Sequence, residues 1–178
     1  MAHSPPQPGR PPIGQLQTVV DLLETPALAR IYLYAYQHGP VTVAELVAEL
    51  AIPQGTAYDY VQKLDAAGFI EKTRDQRPFE YDAEAVSLTL STNGETQTIT
   101  PALIAAVARR SENGDIDVYI ERHGLDGLAV ALEYVSEYVE GTVNSRIAAR
   151  ELDLSPLEAE IILQALEPVA EAFADGGA

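Results

Sequence analysis

The chain has no cysteine, so disulfides, thiolate zinc sites and cysteine nucleophiles are excluded from the outset. It has three histidines, too scattered for a recognisable metal site: His3 near the start and His38 and His123 at expected helix ends. No apolar run approaches the ~20 residues that a membrane-spanning helix needs. No phosphate-cradling glycine loop, nucleophile elbow or HExxH pair occurs, and carboxylate pairs carry little information in a chain this acidic. Neither an enzyme nor a bound cofactor is expected. The start, MAHSPPQPGRPP, lacks the charged and apolar stretches of a secretion signal, which points to a cytoplasmic protein.

Positive charge is also scarce. The 178 residues hold 27 acids against 11 bases, a net charge of −16, and only Lys63 and Lys72 are lysines. A field of that sign repels nucleic acid and anionic lipid unless concentrated salt screens it within a few ångströms. This acid-rich, lysine-poor composition resembles that of proteins from salt-loving archaea. The charge is unevenly spread. Residues 1–110 carry 8 bases and 12 acids, net −4, whereas the remaining 68 carry 3 bases and 15 acids, net −12. Apolar residues make up 47% of the chain, enough for a buried core.

Residues 1–14 contain five prolines and two glycines and read as a disordered leader. Leu16, Val19, Val20 and Leu23 then recur at helical spacing. Thr25-Pro26 opens a second helix with Leu28, Ile31, Tyr32 and Ala35 on one face, and Gly39-Pro40 stops it. Thr42-Val43-Ala44-Glu45 has the form of a capping box and starts a two-turn helix burying Leu46, Val47 and Leu50. Ala51-Ile52-Pro53 leaves room for a tight turn. The next helix, from about Gln54 to Ala67, buries Ala57, Val61 and Leu64, with Tyr60 at the edge and Gly68 as C-cap. Two short helices joined by such a turn form a helix-turn-helix. The period then becomes alternating. Residues 69–74 and 79–81 read as strands around a turn at Asp75–Pro78, which makes a wing.

A second hairpin is expected from about Val86 to Thr100 around Asn93-Gly94. Thr100-Pro101 opens a helix to about Arg110, and a further helix from Asp115 ends at Gly124. Leu125, Leu128, Leu132, Val135 and Val139 then form a two-heptad apolar seam, open to two readings: a dimer interface, which is favoured, or intramolecular core. Ser155-Pro156-Leu157-Glu158 has the form of another capping box, starting a helix with Leu157, Ile161, Leu166, Val169 and Phe173. Residues 144–166 faintly mimic a second helix-turn-helix, but three glutamates and no base on its latter helix argue against phosphate contact. Alternating Tyr32, Tyr34 and Tyr36 are assigned to packing. The expected fold is mainly α with small β-hairpins (α+β): a winged helix-turn-helix at 15–84, then a β-hairpin and a helical dimerisation region at 85–178.

The run TVAELVAELAIPQGTAYDYVQKLDAAGFIEK with its charged hairpin resembles winged helix-turn-helix transcriptional regulators of the ArsR/MarR/TrmB kind. The metal-sensing branch of ArsR-like proteins is a poor match, because its thiolate ligands are absent. The segment from SLTLSTNGETQTITPALIAAVARR onward resembles the C-terminal region of haloarchaeal regulators of this class.

The resemblance implies binding to double-stranded DNA, with helix 54–67 in the major groove and the wing at 69–82 on the backbone; a homodimer is expected because a single winged helix makes few contacts. With Ala57, Val61 and Leu64 inside, the groove-facing set is Gln54, Gly55, Thr56, Tyr58, Asp59, Gln62 and Lys63. Glutamine pairs two-pronged with adenine, and threonine or tyrosine suits a phosphate or thymine methyl. The wing adds Lys72, Arg74 and Arg77. The rival reading is a winged-helix docking module in a transcription or replication assembly, without DNA contact. A small-molecule effector is left open, as are activation or repression and the target site.

Overall fold

A computed structural model describes residues 12–174 of the chain; the expectations for residues 1–11, including His3, lie outside them. The chain divides into two compact units, Met1–Val86 and Ser87–Ala178. It is mainly helical with small antiparallel sheets, the α+β class expected. No helix among the described residues is long and apolar enough to cross a membrane.

The first unit begins with α1 (Pro12–Glu24), so residues 12–14 belong to a helix rather than to a leader, with proline at a favourable first position. The inward face of α1 is rotated from the one expected. Thr18, Val19 and Leu22 are buried, whereas Leu16 and Val20 are exposed. Next come α2 (Pro26–His38), β1 (Val41–Thr42), α3 (Val43–Leu50) and α4 (Gln54–Ala67). The capping box at α3 is complete: Glu45 N–H donates to Thr42 Oγ1 at 3.2 Å and Thr42 N–H to Glu45 Oε2 at 2.7 Å. Leu46 is fully inside, while Val47 and Leu50 are half-buried. Ala51 closes α3 in the left-handed region, φ 52°, at a cost of about 1–2 kcal/mol for a residue with a Cβ. Ile52 is buried behind it.

The wing consists of β2 (Ile70–Arg74) and β3 (Glu80–Ala83), paired antiparallel with Ile70 opposite Ala83. β1 joins the far side of β3 through Val41 opposite Tyr81, giving the order β1-β3-β2. A strand of two residues has no readable period, so this third strand was not expected.

Tyr32 ties the unit together. Its ring is fully buried; its hydroxyl donates to the Glu84 carbonyl at 2.7 Å and accepts from Val86 N–H at 2.8 Å. α2 thereby holds the segment that leaves the wing.

In the second unit, β4 (Leu88–Thr92) and β5 (Glu95–Ile99) pair with Leu88 opposite Ile99. Asn93 and Gly94, with φ of 54° and 85°, supply the two left-handed residues that a tight hairpin turn needs. α5 (Pro101–Ala108), a 3-10 turn (Arg109–Ser111), α6 (Gly114–Val139), α7 (Ser145–Glu151) and α8 (Pro156–Phe173) follow. Gly124, at φ 71° and ψ −180°, breaks α6 in two where a helix end was expected.

α6 and α8 pack most extensively, and Ile116, Leu128, Val135, Ile162, Leu163 and Leu166 fill the core of this unit. Leu128 and Val135 are 0% exposed within a single chain. These two belong to intramolecular core and cannot meet a second copy, which corrects the dimer expectation for them. Leu125 and Leu132 are half-buried, and Val139 is exposed. The box at Ser155 is half formed: Glu158 N–H donates to Ser155 Oγ, while the Glu158 carboxylate turns to His123 at 2.8 Å.

Two predictions follow from the buried phenols. Tyr32→Phe leaves the Glu84 carbonyl and Val86 N–H without their partner and is expected to cost about 1–3 kcal/mol, read by denaturant unfolding. Burial raises the pKa values of Tyr32 and Tyr119, the latter from 10.0 to about 12 with Glu158 contributing. A raised folded-state pKa in a neutral acid gives stability that is fully present below pH 10.0 and lost as pH climbs toward about 12. The unfolding midpoint should therefore hold to pH 10.0 and then fall; a flat profile would contradict the burial of these phenols.

Candidate nucleic-acid interface

α4 is aimed by its own apolar side. Ala57, Val61, Leu64 and Ala67 are buried, which leaves Gln54, Tyr58 and Gln62, four residues apart, along the outer face. Gln54, Gly55, Asp59 and Gln62 are exposed, Tyr58 is 48% exposed, and Thr56 is half-buried. A Cβ at Gly55 would meet nothing within 4 Å, so the backbone is bare there.

Lys63 is exposed, but its ammonium is paired with Asp21 of α1 at 2.6 Å. The one cation of α4, expected in the groove-facing set, is thus paired with an acid of α1. Gln15 of α1 donates to the Ala67 carbonyl at the other end of the same seam. The sequence pattern of α4 alone could not reveal a partner 42 positions upstream.

The wing cations are all exposed. Lys72 Nζ lies 3.9 Å from the centroid of the Phe79 ring, and the Arg77 guanidinium carbon 5.8 Å from it. Phe79 therefore organises two of the three cations by cation–π attraction. Arg74 lies opposite Glu80 in the ladder, next to a register shift between Lys72 and Arg74. Over the face as a whole, Lys72, Arg74 and Arg77 stand among Asp59, Glu71, Asp75 and Glu80. The face carries no excess of positive charge, but it is far less acidic than a chain of net charge −16 would suggest.

Beside the outer face of α4 lies a cleft of about 790 Å³, which sequence reasoning missed. Val43, Val47, Tyr58, Pro78, Phe79 and Tyr81 line it, with Gln54 and Arg77 among its polar members. Val47 had been counted as core; half-buried, it serves the cleft instead. Burial, helped by nearby Asp65 and Tyr58, raises the Tyr81 pKa and keeps its phenol neutral. Among the described residues, no group of three or more histidines and carboxylates is placed to hold a metal.

A helix-turn-helix followed by a two-stranded wing, with the wing's return strand joined by a short strand ahead of the turn, defines a winged-helix domain. Residues 21–87 match the family model of the sugar-specific transcriptional regulator TrmB, which supports a place for this unit among winged-helix transcription regulators. Residues 110–175, within the second unit, match a family of unknown function, DUF7437. No curated protein and no solved structure matches the chain significantly.

Phe79→Ala tests the wing. The variant is expected to lose about 0.5–1 kcal/mol of stability with the Lys72 contact. The upfield ring-current shift of the Lys72 ε-methylene protons should vanish in the NMR spectrum. If those protons resonate at an ordinary position in the unsubstituted protein, the stacked wing is wrong.

Proposed function

We propose that the chain is a sequence-specific double-stranded-DNA-binding transcriptional regulator acting as a homodimer. In this reading α4 enters the major groove and the wing, about residues 69–82, lies on the sugar-phosphate backbone. One observation carries it: the Gln54–Tyr58–Gln62 side of α4 is open to solvent beside three exposed wing cations. A helix of this width fits the ~12 Å major groove, where glutamine can read adenine with two hydrogen bonds. Gly55 gives the phosphate backbone room to approach, and Lys72, Arg74 and Arg77 supply sequence-independent contacts. Lys63 would have to leave Asp21 to join them. The match of residues 21–87 to TrmB supports the same reading. Twofold pairing would present two such helices to half-sites about 34 Å apart, one turn of DNA.

The apolar cleft beside α4 favours a second reading, a docking module that takes an apolar segment of a partner protein. Selection from a random duplex library at high salt separates the two, because a DNA reader enriches a motif and a docking module does not.

With a selected site in hand, Gln54→Ala should relax preference at one base pair by about 1–3 kcal/mol. Arg74→Ala should weaken every sequence alike, as loss of a phosphate contact does. Unchanged affinity in both variants, measured by titration of labelled duplex, would remove this placement.

A further inference from the structure

The second unit leaves part of its apolar surface uncovered at one place. Val118, Leu157 and Ile161 are 45%, 67% and 39% exposed and line one cleft of about 270 Å³ between the first half of α6 and the start of α8. Asp115 and Arg122 line the same cleft. Asp115, Val118 and Arg122 are spaced three and four apart and exposed, so they share the outer face of α6, while Tyr119 beside them is buried.

We propose that a second copy of this chain docks on this face, with the two α6 helices antiparallel about a twofold axis. The register follows from the charges. Turning the helix end for end sets Asp115 opposite the second copy's Arg122, and brings the two Val118 side chains close to the axis. The twofold axis makes the charged pair twice, as a self-complementary interface requires. Both charged groups are exposed. Asp115 has no cation partner among the described residues, and the Arg122 side chain is 66% exposed, 3.8 Å from a Glu158 carboxylate that His123 holds at 2.8 Å.

The surroundings favour this occupant. Beyond residue 110 the chain carries 15 acids and 3 bases, so most of this surface repels its own copy. At this face one of the three bases stands next to exposed aliphatic side chains and across the axis from an acid. Leu157 and Ile161 from both copies would form an apolar centre with a charged rim, the usual anatomy of an interface.

The proposal rests on the twofold reading above and moves its interface away from the Leu125–Val139 seam. The test is sedimentation equilibrium of the full chain without DNA, in enough salt to screen the overall charge. The unsubstituted chain is expected to be a dimer. Asp115→Arg and Arg122→Asp should each weaken association about tenfold, since each sets like charges opposite one another twice. The double variant should return to within about threefold of the original, because it restores both pairs reversed. Circular dichroism with unchanged helical signal shows that the variants keep the fold. A monomeric unsubstituted chain would overturn this proposal and the twofold reading together. Single variants that dimerise as before would overturn this interface alone, and a double variant without recovery would overturn the antiparallel register.

Discussion

The direction in which α4 faces is set by the burial of Ala57, Val61 and Leu64, and the reading of the N-terminal unit depends on it. These side chains recur at helical spacing, and no other rotation of the helix hides all three. Once they are inside, Gln54, Tyr58 and Gln62 have to point out. The tight turn at 51–53 makes the constraint stricter. Ala51 accepts a left-handed backbone and Ile52 is buried, so α3 and α4 are fixed to each other over three residues. A longer connection would fix α4 less tightly against α3 and leave the burial of these three side chains as the one constraint on its direction.

Electrostatics then decides what such a surface can meet. A net charge of −16 repels a polyanion at long range, so the local balance matters more than the total. Pairing Lys63 with Asp21 removes one cation from the face but holds α4 against α1. The wing keeps its three cations outside, two of them against the Phe79 ring. On the proposed reading, a face without excess positive charge would draw on shape and base contacts more than on released counterions.

The parts legible in the sequence were those that local chemistry dictates. The Thr42–Glu45 box, the Asn93-Gly94 turn, the proline starts of α2, α5 and α8, and the break at Gly124 each depend on residues a few positions apart. What escaped depends on distant partners. The rotation of α1 is set by what covers Val19 and Leu22, and its own pattern, with Leu16 and Val20 also apolar, is ambiguous. Lys63 looked free because Asp21 is 42 residues away. Glu158 had the spacing of a capping residue, but His123 and Arg122, over thirty positions upstream, compete for its carboxylate and win. The cleft beside α4 forms from α3, α4 and the wing together, so no single segment announces it.

The fate of the Leu125–Val139 seam shows why a heptad pattern alone cannot separate core from interface. Both demand the same spacing, and the difference lies in whether the same chain supplies a second apolar helix. Here α8 does. It packs along α6, and its Ile162, Leu163 and Leu166 are buried as Leu128 and Val135 are, so the seam is satisfied from within. A helix has a limited inward stripe, however, and with Ala159, Ile162, Leu163, Leu166 and Val169 occupying it, Leu157 and Ile161 fall outside. On α6, burial of Ile116, Tyr119 and Ile120 turns Val118 to solvent in the same way. Apolar side chains that cannot fit the inward stripe of either helix thus gather in the groove between them. A patch left over from core packing in this way carries no helical signature of its own, and it becomes visible only when both helices are seen together.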